Sequence, residues 1–247
     1  MYNSNEYFNL TLESMENFGM KSQRKGAGTK EKILVAACKI FVEKGYRDAT
    51  HAEICRHADT NIAAINYYFS SKENLYRAVF ERLTRKLDEV YPLDGGLKPS
   101  APPEKRLHAF IHAHLSRMFD PEHLGDLHRI RMSEMFDPTG LLEDLLEQRL
   151  AHDRQYIQTV LREILGARAK QRDIEWCELS IVGQCFMAAP GPMGKGPGPR
   201  DIFMLKPGKV DLLADHILTF SLAGIKAIQK KMGQASTETK QMERKRK

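Results

Sequence analysis

The residues best placed to do chemistry in this chain sit in one stretch, THAEICRHADTNIAAINYYFSSK, from Thr50 to Lys72. Thr50 is a good N-cap, and Ala52, Ile54, Cys55 and Ala58 give the helix after it a small apolar inner face. Asp59-Thr60-Asn61 then breaks the periodicity with residues that cap and turn. Asn61 starts a second short helix, whose first exposed positions are the slim residues Ile62, Ala63 and Asn66 and whose end is aromatic, Tyr67, Tyr68 and Phe69. Helix, short turn and slim-faced helix is the geometry that puts a helix end into the major groove of DNA. The chemistry on offer is therefore recognition, not turnover. Two-helix corners also serve packing alone, so the corner by itself leaves both readings open.

The flanking elements must position that corner. Upstream, residues 29 to 50 place Ile33, Ala36, Ala37, Ile40 and Phe41 on one helical face, stopped by Gly45. Downstream, residues 70 to 91 open a long amphipathic helix with Leu75, Val79, Leu83 and Leu87 on its stripe. The whole of residues 29 to 91 resembles the DNA-binding domain of the tetracycline-repressor (TetR) family. The resemblance rests on Gly45-Tyr46, Thr50, the turn at Ala58-Asp59, Asn66-Tyr67-Tyr68-Phe69 and Ser71-Lys72-Glu73-Asn74-Leu75. Asp59 departs from the glycine usual in that turn, but Asp tolerates the left-handed conformation better than most residues. The run from Asn61 to Tyr67, and the segment from Leu212 to Ile225, look like the CecR-type branch.

The resemblance implies an all-α fold: an N-terminal three-helix helix-turn-helix domain joined by a long helix to an all-helical ligand-binding and dimerisation domain. It also implies roles. Thr50, Tyr67, Tyr68 and Lys72 match positions that touch the phosphate backbone and carry little sequence information. Asn61 caps the recognition helix, and Ile62, Ala63 and Asn66 face the groove. Asn66 can pair bidentately with adenine there, and Ile62 or Ala63 can meet a thymine methyl. The expected partners are a palindromic double-stranded DNA operator, an unidentified small-molecule effector and a second copy in a homodimer. Repression relieved by the effector is the family's default.

Charge is unevenly spread. The net +6 divides into +7 over residues 20 to 87, +6 over residues 226 to 247, −3 over the first 19 residues and −4 over the stretch between 88 and 225. A basic end on an acidic body suits docking on phosphates through one face. The competing reading is an all-helical architectural or protein-interaction module that binds nucleic acid through charge alone, with the tail QMERKRK. The compact motif at 50 to 72 argues against it. No nucleophile-and-base pair, phosphate-cradling glycine loop or paired catalytic carboxylates stand out, so no enzyme and no cofactor is expected.

Cys38, Cys55, Cys177 and Cys185 form no C-x-x-C pair and read as buried, reduced thiols of a cytoplasmic protein. No run of apolar residues is long enough to span a membrane, and the N-terminus lacks a secretory pattern. Residues 1 to 28 read as a disordered extension, with Met20 a plausible start of translation, and residues 232 to 247 as a disordered basic tail.

The second domain is expected over residues 104 to 231. The Phe-Asp-Pro triplets at 119 to 121 and 136 to 138 predict helix starts at Asp120 and Asp137. The segment from Pro190 to Pro199 must be a loop. His108 and His112 have the i, i+4 spacing that can clamp a metal, but no nearby Glu or Cys completes a set, so no metal is assigned. His114 lies on the apolar stripe of its helix, as either an orienting ligand contact or a satisfied core histidine. Phe110, His114, Met118, Met132 and Phe136 are candidate pocket walls, with ordinary core packing the alternative. By the resemblance the last two helices, about 172 to 189 and 209 to 231, pair with their twins. Leu213, Ile217, Phe220 and Ile228 are the candidate dimer contacts.

Overall fold

The structure, a computed structural model, describes residues 25–119, 125–188 and 209–245. Their elements are α1 (Lys25–Asp48), α2 (His51–Ala58), α3 (Ile62–Phe69), α4 (Lys72–Val90), α5 (Pro103–Phe119), α6 (Gly125–Phe136), α7 (Glu143–Leu165), α8 (Gln171–Ala188) and α9 (Val210–Lys245). The all-α class is observed, with no strand among the described residues. The chain divides into two compact units between Val79 and Phe80. That division falls inside α4, earlier than the boundary at residue 91 that the sequence pattern suggested. Asp88 explains part of it, because its carboxylate is held by arginines of α5 and α7.

In the first unit, Ile33, Ala37, Ile40 and Phe41 of α1 recur at helical spacing and are buried with Ile54, Ile65, Phe69, Leu75 and Val79. Tyr76 completes this core, its ring 4.8 Å from Phe41, edge-on, and 5.0 Å from Tyr46. Gly45 interrupts the end of α1 with φ 76° and ψ 174°. A side chain would strain that conformation, and glycine adopts it freely. The stop read from the sequence is therefore real, and it delivers Tyr46 onto Tyr76.

In the second unit, Leu107, Phe110, Ile111 and Leu115 of α5 form the centre of one apolar cluster. Residues from α7, α8 and α9 surround them, including Leu161, Ile181 and Ile217. Truncating one of these to Ala costs about 2–5 kcal/mol by cavity formation.

Three expectations need correction. Asp137 does not start a helix: Phe136 ends α6, the Asp137 N–H donates to the Ser133 carbonyl at 2.8 Å, and α7 begins only at Glu143. The Glu134 carboxylate instead organises this turn, accepting from the Thr139 N–H at 2.9 Å. Residues 232 to 245 are helical as the end of α9, in keeping with the Gln, Ala, Glu, Lys, Met and Arg that fill them and the lack of proline. Likewise α1 starts at Lys25, so helix replaces the last few residues of the expected N-terminal extension. Residues 1 to 24, Asp120 and the breaker segment 190 to 199 lie outside the described residues.

Candidate functional site: nucleic-acid interface and regulatory core

Thr50 takes an extended backbone and its Oγ1 accepts the Glu53 N–H at 3.2 Å, while the Glu53 carboxylate accepts the Thr50 N–H at 3.2 Å. This reciprocal capping box satisfies two donors at the start of α2. Lys44 also pairs with Glu53. That contact, then the one to Thr50, holds the Glu53 carboxyl at about 2. The sequence reading took the Thr50 cap and missed Glu53, although the T-x-x-E spacing was its signal.

Asp59 sits in the left-handed region, φ 51° and ψ 55°, and its N–H donates to the Cys55 carbonyl. The turn survives without glycine, as expected. Asn61 then caps α3, its Oδ1 accepting the Ala64 N–H at 2.9 Å. The i, i+4 pair Ile65 and Phe69 turns inward and is buried, so the opposite face must look out. Ile62 is 50 % and Tyr67 80 % exposed, with Ala63 and Asn66 exposed between them. Tyr68 is half-buried, its ring 5.0 Å from Tyr67 in an edge-on arrangement. Ser71 opens α4 by accepting the Asn74 N–H at 3.1 Å. Lys72 donates to the Arg47 carbonyl at 3.3 Å and lies 4.5 Å from the centre of the Tyr46 ring. Burial lowers its pKa, with Asp48 acting the other way. All eight residues singled out from sequence belong to this one corner. Tyr46, which seats Lys72, was not among them.

The regulatory unit arranges its histidines differently from a metal clamp. His108 Nε2 lies 2.9 Å from an Asp215 oxygen and His112 Nε2 lies 2.8 Å from one of Asp211. These pairs tie α5 to α9 one turn apart, their imidazoles 6.3 Å between centres. No three metal-ligating side chains converge among the described residues. Of the candidate pocket walls, Phe110, His114, Met118 and Met132 are buried, whereas Phe136 is 70 % exposed and walls no interior space. His114 stacks on Phe110 at 5.5 Å, and its Nδ1 has no partner among the described residues. Burial above all, then Arg131, brings its pKa down to about 4.

Beside it lies a buried charge network that the sequence did not suggest. Arg149 Nη1 donates to Asp88 at 2.6 Å and its Nε to Asp153 at 3.0 Å. Arg117 donates to the other Asp88 oxygen at 3.0 Å and to the Tyr91 carbonyl at 2.6 Å. Burial brings the Arg117 pKa down to about 10. Burial also opposes the Arg149 charge, but the Asp88 and Asp153 contacts outweigh it and raise its pKa. The Asp88 carboxylate is partly exposed, whereas Arg117, Arg149 and Asp153 are buried, so removing Asp153 costs the most, because it leaves buried guanidinium charge behind. Arg149 and Asp153 stand at i, i+4 on α7, but Asp88 and Arg117 come from α4 and α5, and no local spacing joins them to that pair.

Of the candidate dimer contacts, Ile217 is 1 % exposed and belongs to the protomer's own core, so it is not available to a second subunit. Leu213 and Ile228 are half-buried against the same core, and Phe220 is 65 % exposed. Leu212 on α9 and Trp176, Leu179 and Met187 on α8 are further exposed apolar side chains.

Residues 33–79 match the model of bacterial regulatory proteins of the tetR family, and residues 103–225 that of the C-terminal domain of the HTH-type transcriptional dual regulator CecR. The chain is 27% identical over 142 residues to the HTH-type transcriptional regulator SrpR of Pseudomonas putida, covering 58% of this chain and 63% of that one. It is 39% identical over 85 residues to the dual regulator CecR of Shigella flexneri, covering 34% and 35%. The matches thus span less than two thirds of either relative. A crystal structure of AibR in complex with isovaleryl coenzyme A and operator DNA shares the fold, with a TM-score of 0.57 at 16% identity over 78% of this chain and 97% of that one.

Proposed function

We propose that this chain, which belongs to the TetR family on its CecR-like branch, is a ligand-responsive transcriptional repressor that binds a palindromic operator as a homodimer. The observation that carries this reading is the outer face of α3. Its N-terminus is capped by Asn61, Ile65 and Phe69 lock its inner side, and Ile62, Ala63 and Asn66 are left exposed on a slim surface. Such a helix end is shaped for base edges in the major groove. Thr50, Tyr67, Tyr68 and Lys72 flank it and supply backbone contacts that fix register.

Dimerisation is supported by the unpartnered apolar face of α8 and α9, since Trp176, Leu179, Met187, Leu212 and Phe220 stay exposed on one protomer. A two-fold dimer presents two α3 helices and so demands two half-sites. Effector response is supported by the α4 segment, whose Asp88 is bound by the regulatory unit's arginines. A neighbour of this fold was crystallised with both an acyl coenzyme A and its operator, and the effector of this chain is proposed to bind within its second unit. No helix among the described residues is long and apolar enough to cross a membrane; the cytoplasmic location we propose follows from the operator-binding role, since that is where the DNA lies.

Selection of random duplex DNA against the purified protein, at near-physiological salt with competitor DNA, tests the reading. Recovery of one palindrome is the expected result. Recovery of no motif, with binding that only fades as salt rises, favours charge-driven association and overturns it.

A further inference from the structure

The buried guanidinium of Arg149 is incompletely used. Its Nη1 meets Asp88 and its Nε meets Asp153, yet its buried Nη2 has no acceptor among the described residues. Arg149 is 7 % exposed, so the missing acceptor is not simply bulk water. A buried donor without a partner costs about 1–3 kcal/mol, more when it is charged, and such a site favours any solute that supplies an anionic oxygen.

Arg149 also borders a cleft of about 460 Å³, together with Asp88, Phe80, Thr84, Arg85 and Leu145. That volume is in the range of small-molecule sites, and the lining is mostly polar and charged, with Phe80 and Leu145 its apolar residues. Glu81 joins Arg85 in the lining. Asp88 is already shared between Arg117 and Arg149, and His152 adds an imidazole. Arg85 and Arg149 are the cations of the lining, and Arg149 is the one with a buried donor that has no acceptor among the described residues. Behind it stand Arg117 and Arg131, so the interior holds three guanidinium groups against the carboxylates of Asp88 and Asp153.

We propose that this cleft binds the carboxylate of an amphipathic small molecule, with Arg149 as the anion-binding residue and Asp88 as the carboxylate that the ligand competes with. The apolar tail lies along Phe80 and Leu145. Because Asp88 belongs to α4, the helix that begins at Lys72 in the DNA-binding unit, a ligand that draws Arg149 away loosens the hold on the last turn of that helix. The inference rests on the regulator reading above and names the class of its effector.

The test uses the full chain and straight-chain carboxylates from hexanoate to hexadecanoate, each beside the alcohol of equal length, by thermal shift and calorimetry. At least one carboxylate is expected to bind and raise the melting temperature, with its alcohol at least tenfold weaker. Arg149→Met should weaken that carboxylate tenfold or more, Arg149→Lys should recover part of the loss, and Asp88→Asn should tighten binding by removing the competitor. Circular dichroism checks that each variant folds; if Arg149→Met does not, the Arg149→Lys and Asp88→Asn pair decides. Binding by none of the carboxylates, equal binding of acid and alcohol, or affinity indifferent to both Arg149 and Asp88 overturns the proposal. Those failures leave a recovered palindrome standing, so the ligand claim and the operator claim fail separately.

Discussion

The Lys72 ammonium rests 4.5 Å above the centre of the Tyr46 ring and donates to the Arg47 carbonyl, so the first residue of α4 is pinned to the corner that Gly45 creates. An ammonium has three donors and uses one of them there, which leaves two for a phosphate oxygen at a fixed place. Lys72→Ala is expected to weaken binding to every duplex alike and to lower the salt slope by about 1. Tyr46→Leu, which frees the ammonium without removing it, should give a smaller uniform loss. Fluorescence anisotropy over a salt series measures both. A sequence-dependent effect of Lys72→Ala would contradict its assignment to the backbone.

Asn66 predicts the opposite pattern. It is exposed on α3, and its contact among the described residues is through its backbone carbonyl, which accepts the Ser70 N–H at 2.9 Å, so Asn66→Ala should leave stability within about 0.5 kcal/mol of the parent. Base preference should change at one position per half-site, by ~1–3 kcal/mol. A binding-site selection repeated with the variant reads this directly, and an unchanged motif would remove Asn66 from the groove.

Thr50 carries a structural role in addition to its proposed phosphate contact. Thr50→Ala breaks the capping box with Glu53 and should cost about 1 kcal/mol of stability. Thr50→Ser keeps the acceptor and should cost little. Urea denaturation of the two variants separates them, and equal midpoints would mean that the cap contributes nothing.

His114 makes the stability of the regulatory unit depend on pH. Its pKa is about 4 in the folded chain against 6.5 for the free side chain, so between those values the unfolded state binds more protons. Stability from this group is complete above about pH 6.5 and is lost as pH falls toward 4, a difference of roughly 3 kcal/mol at 1.36 kcal/mol per unit. Denaturation midpoints at pH 7 and pH 4.5 should converge in His114→Gln relative to the parent. A parent with the same midpoint at both would contradict the buried neutral imidazole.

Phe220 is the most direct probe of assembly, because it is an exposed apolar side chain on α9, the helix proposed to pair with its twin. Phe220→Glu should convert a dimer into monomers in sedimentation with little change in monomer stability. Persistence of the dimer would place the interface elsewhere.

How much of this was legible in the sequence follows from how local each signal is. Gly45, Thr50, Asn61 and the inward pair Ile65 and Phe69 act within one or two turns of their own helices, and spacing announced the two-helix corner, while its reading as a DNA-binding element came from the family resemblance. The second Phe-Asp-Pro triplet misled because Asp and Pro also end a helix, and the apolar pattern resumes only at Leu142, which is buried. Ile217 and Phe220 lie on the same amphipathic helix; one is buried in its own protomer and the other exposed, a distinction that needs the neighbouring helices. The same holds for Asp88, Arg117, Arg149 and Asp153. Each reads as an ordinary surface charge until α4, α5 and α7 bring them within hydrogen-bond distance.

The central claim, sequence-specific binding by a dimer, is tested most directly by comparing two affinities at near-physiological salt. One is for the palindrome recovered by selection, the other for the same duplex with both half-sites scrambled. The account predicts a ratio of about 10³ or more, at a stoichiometry of two chains per palindrome. Equal affinities that fall together as salt rises would contradict it and leave a protein that binds DNA by charge alone.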